Sequence, residues 1–269
     1  MHPILVLDSG IGGLPYLAWI QEHLPEESLV YVADRLNFPY GEKTPEMVEE
    51  VVLELVHKLV LRFGPKLIVI ACNTASVYAL KALRSQLSIP VVGVVPAVKL
   101  ASSVTQNGRI GILATELTVR SEYLLNLIQE FARDKNVFSL SAGDIVRFVE
   151  EDFFNPQHEQ RHKMMEVWSK RLRELEVETV VLGCTHFLHV ISELQSYLGP
   201  DIRLVDSQEG VGRRVQFLLE QAQQREQGTK GEGEFYVHWK EASTLSPLEE
   251  SKYQLFSAKF GLMYRGLFF

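Results

Sequence analysis

Short unbroken apolar runs punctuate the chain, among them ILVL at 4–7, SLVYVA at 28–33, LIVIA at 67–71, RIGILA at 109–114 and TVVLG at 179–183. None alternates with polar residues. Runs of this kind suit strands of a parallel sheet covered on both faces. Weaker runs, IPVVGVV at 89–95, VFSL at 137–140 and IRLV at 202–205, predict shorter strands of the same kind. Each strong run ends in a polar or glycine-rich turn: Asp8-Ser9-Gly10 after the first, Asp34 after the second, Cys72-Asn73-Thr74 after the third. Between the runs apolar residues return at helical spacing. The clearest case is Pro45 to Phe63, with Glu46, Glu49, Glu50 and Glu54 outward and Gly64-Pro65 as the stop.

Further helices are predicted from near Leu14, from Asn73, after Pro96-Ala97, over Ser121 to Ala132, and from beyond Val146–Phe153 to about Leu175. Two more run from Cys184 through Tyr197 and from Val211 to about Gln224. The stretch 221–233 is polar and predicts an exposed loop. From 234 onward the pattern supports a weak strand at Phe235–Trp239 and a short terminal helix. The order strand, polar turn, helix, strand, cysteine occurs twice. That repetition predicts an α/β fold of two similar lobes, each a mostly parallel sheet flanked by helices, with the active site in the inter-lobe cleft. Residues 1–95 plus 206–269 form the first lobe and residues 96–205 the second.

Composition narrows the class. Lys plus Arg number 27 against 34 Asp plus Glu, so the net charge of −7 argues against a chain built to grip nucleic-acid backbones. No run approaches the ~18 apolar residues of a membrane helix, and no signal peptide is apparent, so the expected compartment is the cytoplasm.

The chain has two cysteines, Cys72 and Cys184, at the ends of two predicted strands. A structural disulfide does not suit a reducing compartment, and a metal centre lacks a C-x-x-C pair to complete its ligands. Two readings stay open, buried inert cysteines or an active pair. The shared position before polar, helix-starting residues favours the active pair, because a helix N-terminus favours thiolate over thiol at Cys72. Facing thiols suit one reaction type: removal of a proton from one face of a carbon and return of another to the opposite face. Asp8 and His186 stand where each could assist a thiol, beside the plainer readings of a turn-capping Asp and a structural His. The Asp8–Gly13 turn lacks the spacing of a dinucleotide fingerprint and suits a carboxylate ligand better.

The motifs LDSGIGGL at 7–14, PYG at 39–41, ACNTAS at 71–76, ILATELTVRSEYL at 112–124 and LGCTHFL at 182–188 together resemble the glutamate racemases, within the aspartate/glutamate racemase superfamily. The resemblance spans most of the first 210 residues. It implies cofactor-independent interconversion of L- and D-glutamate, supplying D-glutamate for peptidoglycan, with Cys72 and Cys184 as the two acid/base groups. It also implies that Asp8, Ser9, Tyr40, Gly41, Asn73, Thr74, Thr115, Thr118 and Thr185 line the substrate site and that His186 assists Cys184. An assisting glutamate of the family matches Glu150 best and Glu151 next. A homodimer is expected, with no metal, nucleic-acid or membrane partner. The alternatives are a related racemase or isomerase acting on aspartate, a hydantoin or maleate, and a non-catalytic binding protein on the same scaffold. Beyond residue 225 the resemblance is slight and assigns no role.

Overall fold

A computed structural model describes residues 2–154 and 158–269. The chain divides into two compact units, Met1–Val94 with Gln208–Phe269, and Val95–Ser207.

The first unit begins β1 (Ile4–Asp8), α1 (Leu14–His23), β2 (Leu29–Ala33), α2 (Pro45–Phe63), β3 (Leu67–Ile70), α3 (Asn73–Gln86) and β4 (Val91–Gly93). The second unit follows with α4 (Val98–Val104), β5 (Arg109–Ala114), α5 (Glu116–Val119), α6 (Glu122–Phe131), β6 (Asn136–Ser141), α7 (Gly143–Glu151), α8 (His158–Glu174), β7 (Thr179–Leu182), α9 (Ile191–Leu198) and β8 (Arg203–Val205). The chain then returns to the first unit with α10 (Gln208–Gln221), β9 (Gly233–His238), α11 (Pro247–Lys259) and β10 (Met263–Phe268).

All pairings are parallel. The first unit holds a six-stranded sheet in the order β10-β9-β2-β1-β3-β4. The second holds a four-stranded sheet in the order β6-β5-β7-β8. The α/β class of two mostly parallel sheets flanked by helices is the one the apolar runs predict. Their lack of alternation has a direct cause: Ile4, Leu5, Val6 and Leu7 are all at most 1% exposed, so both faces of β1 are covered. Each such side chain contributes roughly 1.5–3 kcal/mol on leaving water, which outweighs any preference for a polar residue on either face.

Both sheets reverse direction beside their first strand. From β1 the chain moves to β2 on one side and then returns to β3 on the other; β5, β6 and β7 do the same. Right-handed crossovers then put α1 and α2 on opposite faces, and α2 packs on α3 while α1 packs on α10. In the second unit Val98 and Ala101 of α4 and Leu124 of α6 share a core with Ile110, Ile112 and Val181. A reversal of this kind opens a crevice at the carboxyl ends of the two strands flanking it. Those strands are β1 with β3, and β5 with β7.

Two local expectations need correction. The terminal region is a strand, a helix and a further strand, β10, in place of a strand and a short helix. β10 lies at the sheet edge with residues mostly half exposed, so its apolar signal is diluted. The helix expected directly after Cys184 is a short 3-10 helix, Thr185–Val190, before α9. The helix expected to end near Leu175 is α8, and residues 155–157 before it lie outside the described residues.

Candidate functional site

At the switch point of the first sheet β1 ends on Asp8 and β3 leads into Cys72. Asp8 is fully buried, and its Oδ1 accepts the Ser9 backbone N–H at 2.6 Å and the Ser9 hydroxyl at 3.4 Å. The turn after it is bolted from the neighbouring strand: the Tyr31 hydroxyl donates to the Gly10 carbonyl at 2.8 Å and accepts the Gly13 N–H at 3.2 Å. Gly13 is required by close approach, since a Cβ there would lie 2.7 Å from the Ala71 Cβ. The glycine turn and the Cys72 strand end are thus in contact.

Cys72 occupies the N-cap position of α3 in extended conformation and is 7% exposed. The start of α3 is held by Ser76, whose hydroxyl donates to the Ile70 carbonyl at 3.1 Å and accepts the Val94 N–H at 2.9 Å. Asn73 and Thr74 are buried beside the thiol. The Asn73 amide has no hydrogen-bond partner on either its nitrogen or its oxygen among the described residues. A buried amide left this way costs about 1–3 kcal/mol, which a bound ligand with a carboxylate or ammonium would recover.

The loop after β2 folds into two 3-10 turns, Arg35–Asn37 and Tyr40–Glu42, with a cis Phe38–Pro39 peptide between them. Tyr40 is buried and its hydroxyl donates to Asp34 Oδ2 at 2.5 Å, while Gly41 is half exposed. Burial, the Asp34 charge and hydrogen bond, and the proximity of Cys72 and Asp8 together hold the Tyr40 phenol well above its ordinary pKa. It stays a neutral hydroxyl. Asp34 is itself fully buried and accepts three groups: Tyr40, the Asn37 amide at 3.1 and 3.0 Å, and His238 Nδ1 at 2.6 Å.

At the switch point of the second sheet β5 ends on Ala114, with Thr115 the next residue, and β7 leads into Cys184. Gly183 precedes the thiol because a Cβ there would meet the Leu113 carbonyl oxygen at 2.9 Å. Cys184 caps the 3-10 helix in nearly the backbone conformation of Cys72, with φ −143° and ψ 135° against −139° and 123°, and is 6% exposed. Its neighbours differ. The sulfur lies 3.7 Å from His186 Nδ1, and His186 Nε2 lies 2.9 Å from Glu150 Oε1 of α7, all three side chains being buried. An ionised Glu150 accepts the Nε2 proton, which leaves Nδ1 as the ring nitrogen facing the Cys184 sulfur. Thr115 caps α5, and its hydroxyl donates to that of buried Thr118 at 3.1 Å; Thr185 is buried beside the thiol.

The structure gathers the residues singled out from the sequence into two sets. Asp8, Ser9, Tyr40, Gly41, Cys72, Asn73 and Thr74 stand at the carboxyl edge of the six-stranded sheet. Thr115, Thr118, Cys184, Thr185 and His186 stand at that edge of the four-stranded one, with Glu150 reaching in from α7. Glu150 points inward to His186, whereas Glu151 is exposed. Sequence reasoning passed over Asp34, Asn37 and His238. The one available signal was position, an acid directly after β2 and a histidine ending a strand.

These features define an α/β protein with two parallel sheets, each carrying a thiol at the second residue beyond its switch-point strand. Residues 16–210 match the model of the Asp/Glu/Hydantoin racemase family. The chain belongs to that family and is a racemase. It is 42% identical to the glutamate racemase of Vibrio vulnificus strain YJ016 over 92% of this chain and 90% of the relative. It is 43% identical to that of Pectobacterium carotovorum over 80% and 76%. Among solved structures it is similar to Escherichia coli glutamate racemase in complex with L-glutamate and the activator UDP-MurNAc-Ala, with a TM-score of 0.85, 32% identity and coverage of 99% and 98%. The Francisella tularensis glutamate racemase in complex with D-glutamate gives a TM-score of 0.78 at 25% identity, over 99% of this chain and 96% of that one. No helix among the described residues is long and apolar enough to cross a membrane.

Proposed function

We propose that this racemase interconverts L- and D-glutamate without a cofactor, with Cys72 and Cys184 as its two acid/base groups. The observation that carries the reading is that both thiols stand at the same place in their sheets, on the same cap conformation, beside groups able to relay or orient a proton.

One cysteine, as thiolate, takes the α-proton; the Cα–H bond breaks and its electron pair spreads onto the α-carboxylate. The other, as thiol, gives its proton to the opposite face of the carbon, and the pair exchange protonation states with direction. Planarising the α-carbon is favoured where the carboxylate meets fixed donors. The Asn73 amide and the Thr74 and Thr185 hydroxyls supply them. The Asp8-Ser9 turn receives the ammonium, and the Tyr40-Gly41 turn receives the side-chain carboxylate. Glu150 holds His186 in the tautomer that serves Cys184, and Thr115 and Thr118 complete the polar lining. The product supplies peptidoglycan, and the chain works in the cytoplasm as a homodimer, as the family resemblance implies.

A panel of L- and D-glutamate, aspartate, a hydantoin and maleate, offered without added cofactor, tests the assignment. Turnover of both glutamate enantiomers well above the others is expected. Turnover of another member alone would move the chain to a different branch of the family, and turnover of none would leave it a binding protein.

A further inference from the structure

We propose that His238 is a positioning residue for the substrate turn, acting through Asp34 on Tyr40, so that the carboxyl-terminal segment is part of the active site's support. The proposal rests on the reading above that the Tyr40-Gly41 turn receives substrate. It concerns a part of the chain, beyond residue 225, to which no motif assigns a role.

The geometry is a hub. The fully buried Asp34 carboxylate takes a donor from each side of the structure it joins. Tyr40 and Asn37 come from the loop after β2, and His238 comes from the last residue of β9, 204 positions away in sequence. The sheet makes this possible: β9 lies parallel to β2 with Val237 opposite Ala33, which brings the next residues, His238 and Asp34, side by side at the carboxyl edge. The return segment is itself anchored at the opposite end of the sheet. Lys66 bridges Glu27 at 2.7 Å and Glu226 at 3.1 Å, and donates to the Gln224 carbonyl at 2.7 Å.

Two consequences follow for the loop. First, the Tyr40 O–H is committed to Asp34, so its oxygen meets the neighbourhood of Cys72 and Asp8 only as an acceptor. Secondly, a buried carboxylate that loses one of its donors seeks another. Without the His238 N–H, Asp34 turns from its present position, and Tyr40 and Asn37, which both hang on its oxygens, turn with it. The loop then loses the fixed setting that lets its backbone receive a ligand without first being ordered. The thiols and their relay stay as they are, so the defect is in substrate capture.

The test uses the full chain and steady-state racemisation of glutamate. His238→Phe fills the space without a donor, and His238→Asn places an amide nitrogen where Nδ1 stands. His238→Phe is expected to raise KM about ten-fold or more, the loss of one hydrogen bond to a charged acceptor, with kcat within about two-fold. His238→Asn is expected to return KM close to the wild-type value. An unchanged KM in His238→Phe, or an equal defect in both variants, overturns the proposal. If His238→Phe does not fold, a cycle of Tyr40→Phe and His238→Leu, which also removes the donor, decides. Because the two residues share one acceptor, their effects on KM are expected to be non-additive. Simple additivity overturns the link. Failure of the wild-type protein to racemise glutamate would instead overturn the functional reading, which the variants do not address.

Discussion

The carboxyl ends of β3 and β7 present the same device with different company. Each carries a cysteine two residues past a fully buried strand, in nearly the same cap conformation and at 7% and 6% exposure. Cys184 has a buried chain beside it, His186 and then Glu150, reached through 3.7 and 2.9 Å contacts, which the proposed function uses as a proton relay. Around Cys72 stand instead a buried carboxylate, Asp8, a neutral phenol, Tyr40, and the Asn73 amide, unpaired among the described residues. The backbone is duplicated and the chemistry is not. Under the function proposed above, the side chains of the second unit would serve proton transfer and those of the first mainly recognition. In the proposed mechanism the two thiols are bases of unequal support, and the directions of the reaction differ in which thiol begins it.

The largest effect that would break this comparison comes from the sulfurs. Cys72→Ser and Cys184→Ser are each expected to lower turnover by about 10²–10⁴-fold, the usual contribution of one positioned acid or base. Circular dichroism checks that both variants are folded. Full activity in either would remove that thiol from the reaction.

The relay sharpens the comparison next. With His186→Asn, kcat falls roughly ten- to hundred-fold, and proton transfer at Cys184 becomes slow. The α-deuterium isotope effect on kcat should then grow in the direction that Cys184 initiates more than in the reverse one. Equal isotope effects in both directions would mean that His186 does not act on Cys184 in particular. A smaller, about ten-fold loss is expected for Glu150→Gln. Glu151→Gln, at an exposed position, should stay within about two-fold of wild type. A larger effect at Glu151 would contradict the inward relay.

The smallest effect concerns the recognition side. Asn73→Ala deletes a buried amide that pairs with nothing among the described residues, so it should raise KM for glutamate while leaving the Tm of the unliganded protein unchanged or higher. A lower Tm with unchanged KM, read by calorimetry beside kinetics, would make Asn73 a structural residue.

What the sequence disclosed and what it concealed follows the same division. The central strands and both thiols were legible because double-sided burial leaves uninterrupted apolar runs, and a cysteine ending such a run is conspicuous. The choice between Glu150 and Glu151 was not. Adjacent residues on a helix point about 100° apart, and only the packing of α7 shows which one turns inward. The Asp34–His238 contact joins residues 204 positions apart through strand pairing, so no local pattern contains it. β10 escaped for a related reason: an edge strand buries too little to impose a period.

The most direct test of the two-thiol account is the fate of the α-hydrogen when wild-type protein racemises L-glutamate in deuterated water, followed by proton NMR and mass spectrometry over the first few per cent of conversion. The account predicts D-glutamate carrying deuterium at the α-carbon while the recovered L-glutamate keeps its protium. Substantial protium carried into the product, or deuterium entering substrate and product alike from the outset, would point to a single base working on both faces and would contradict it.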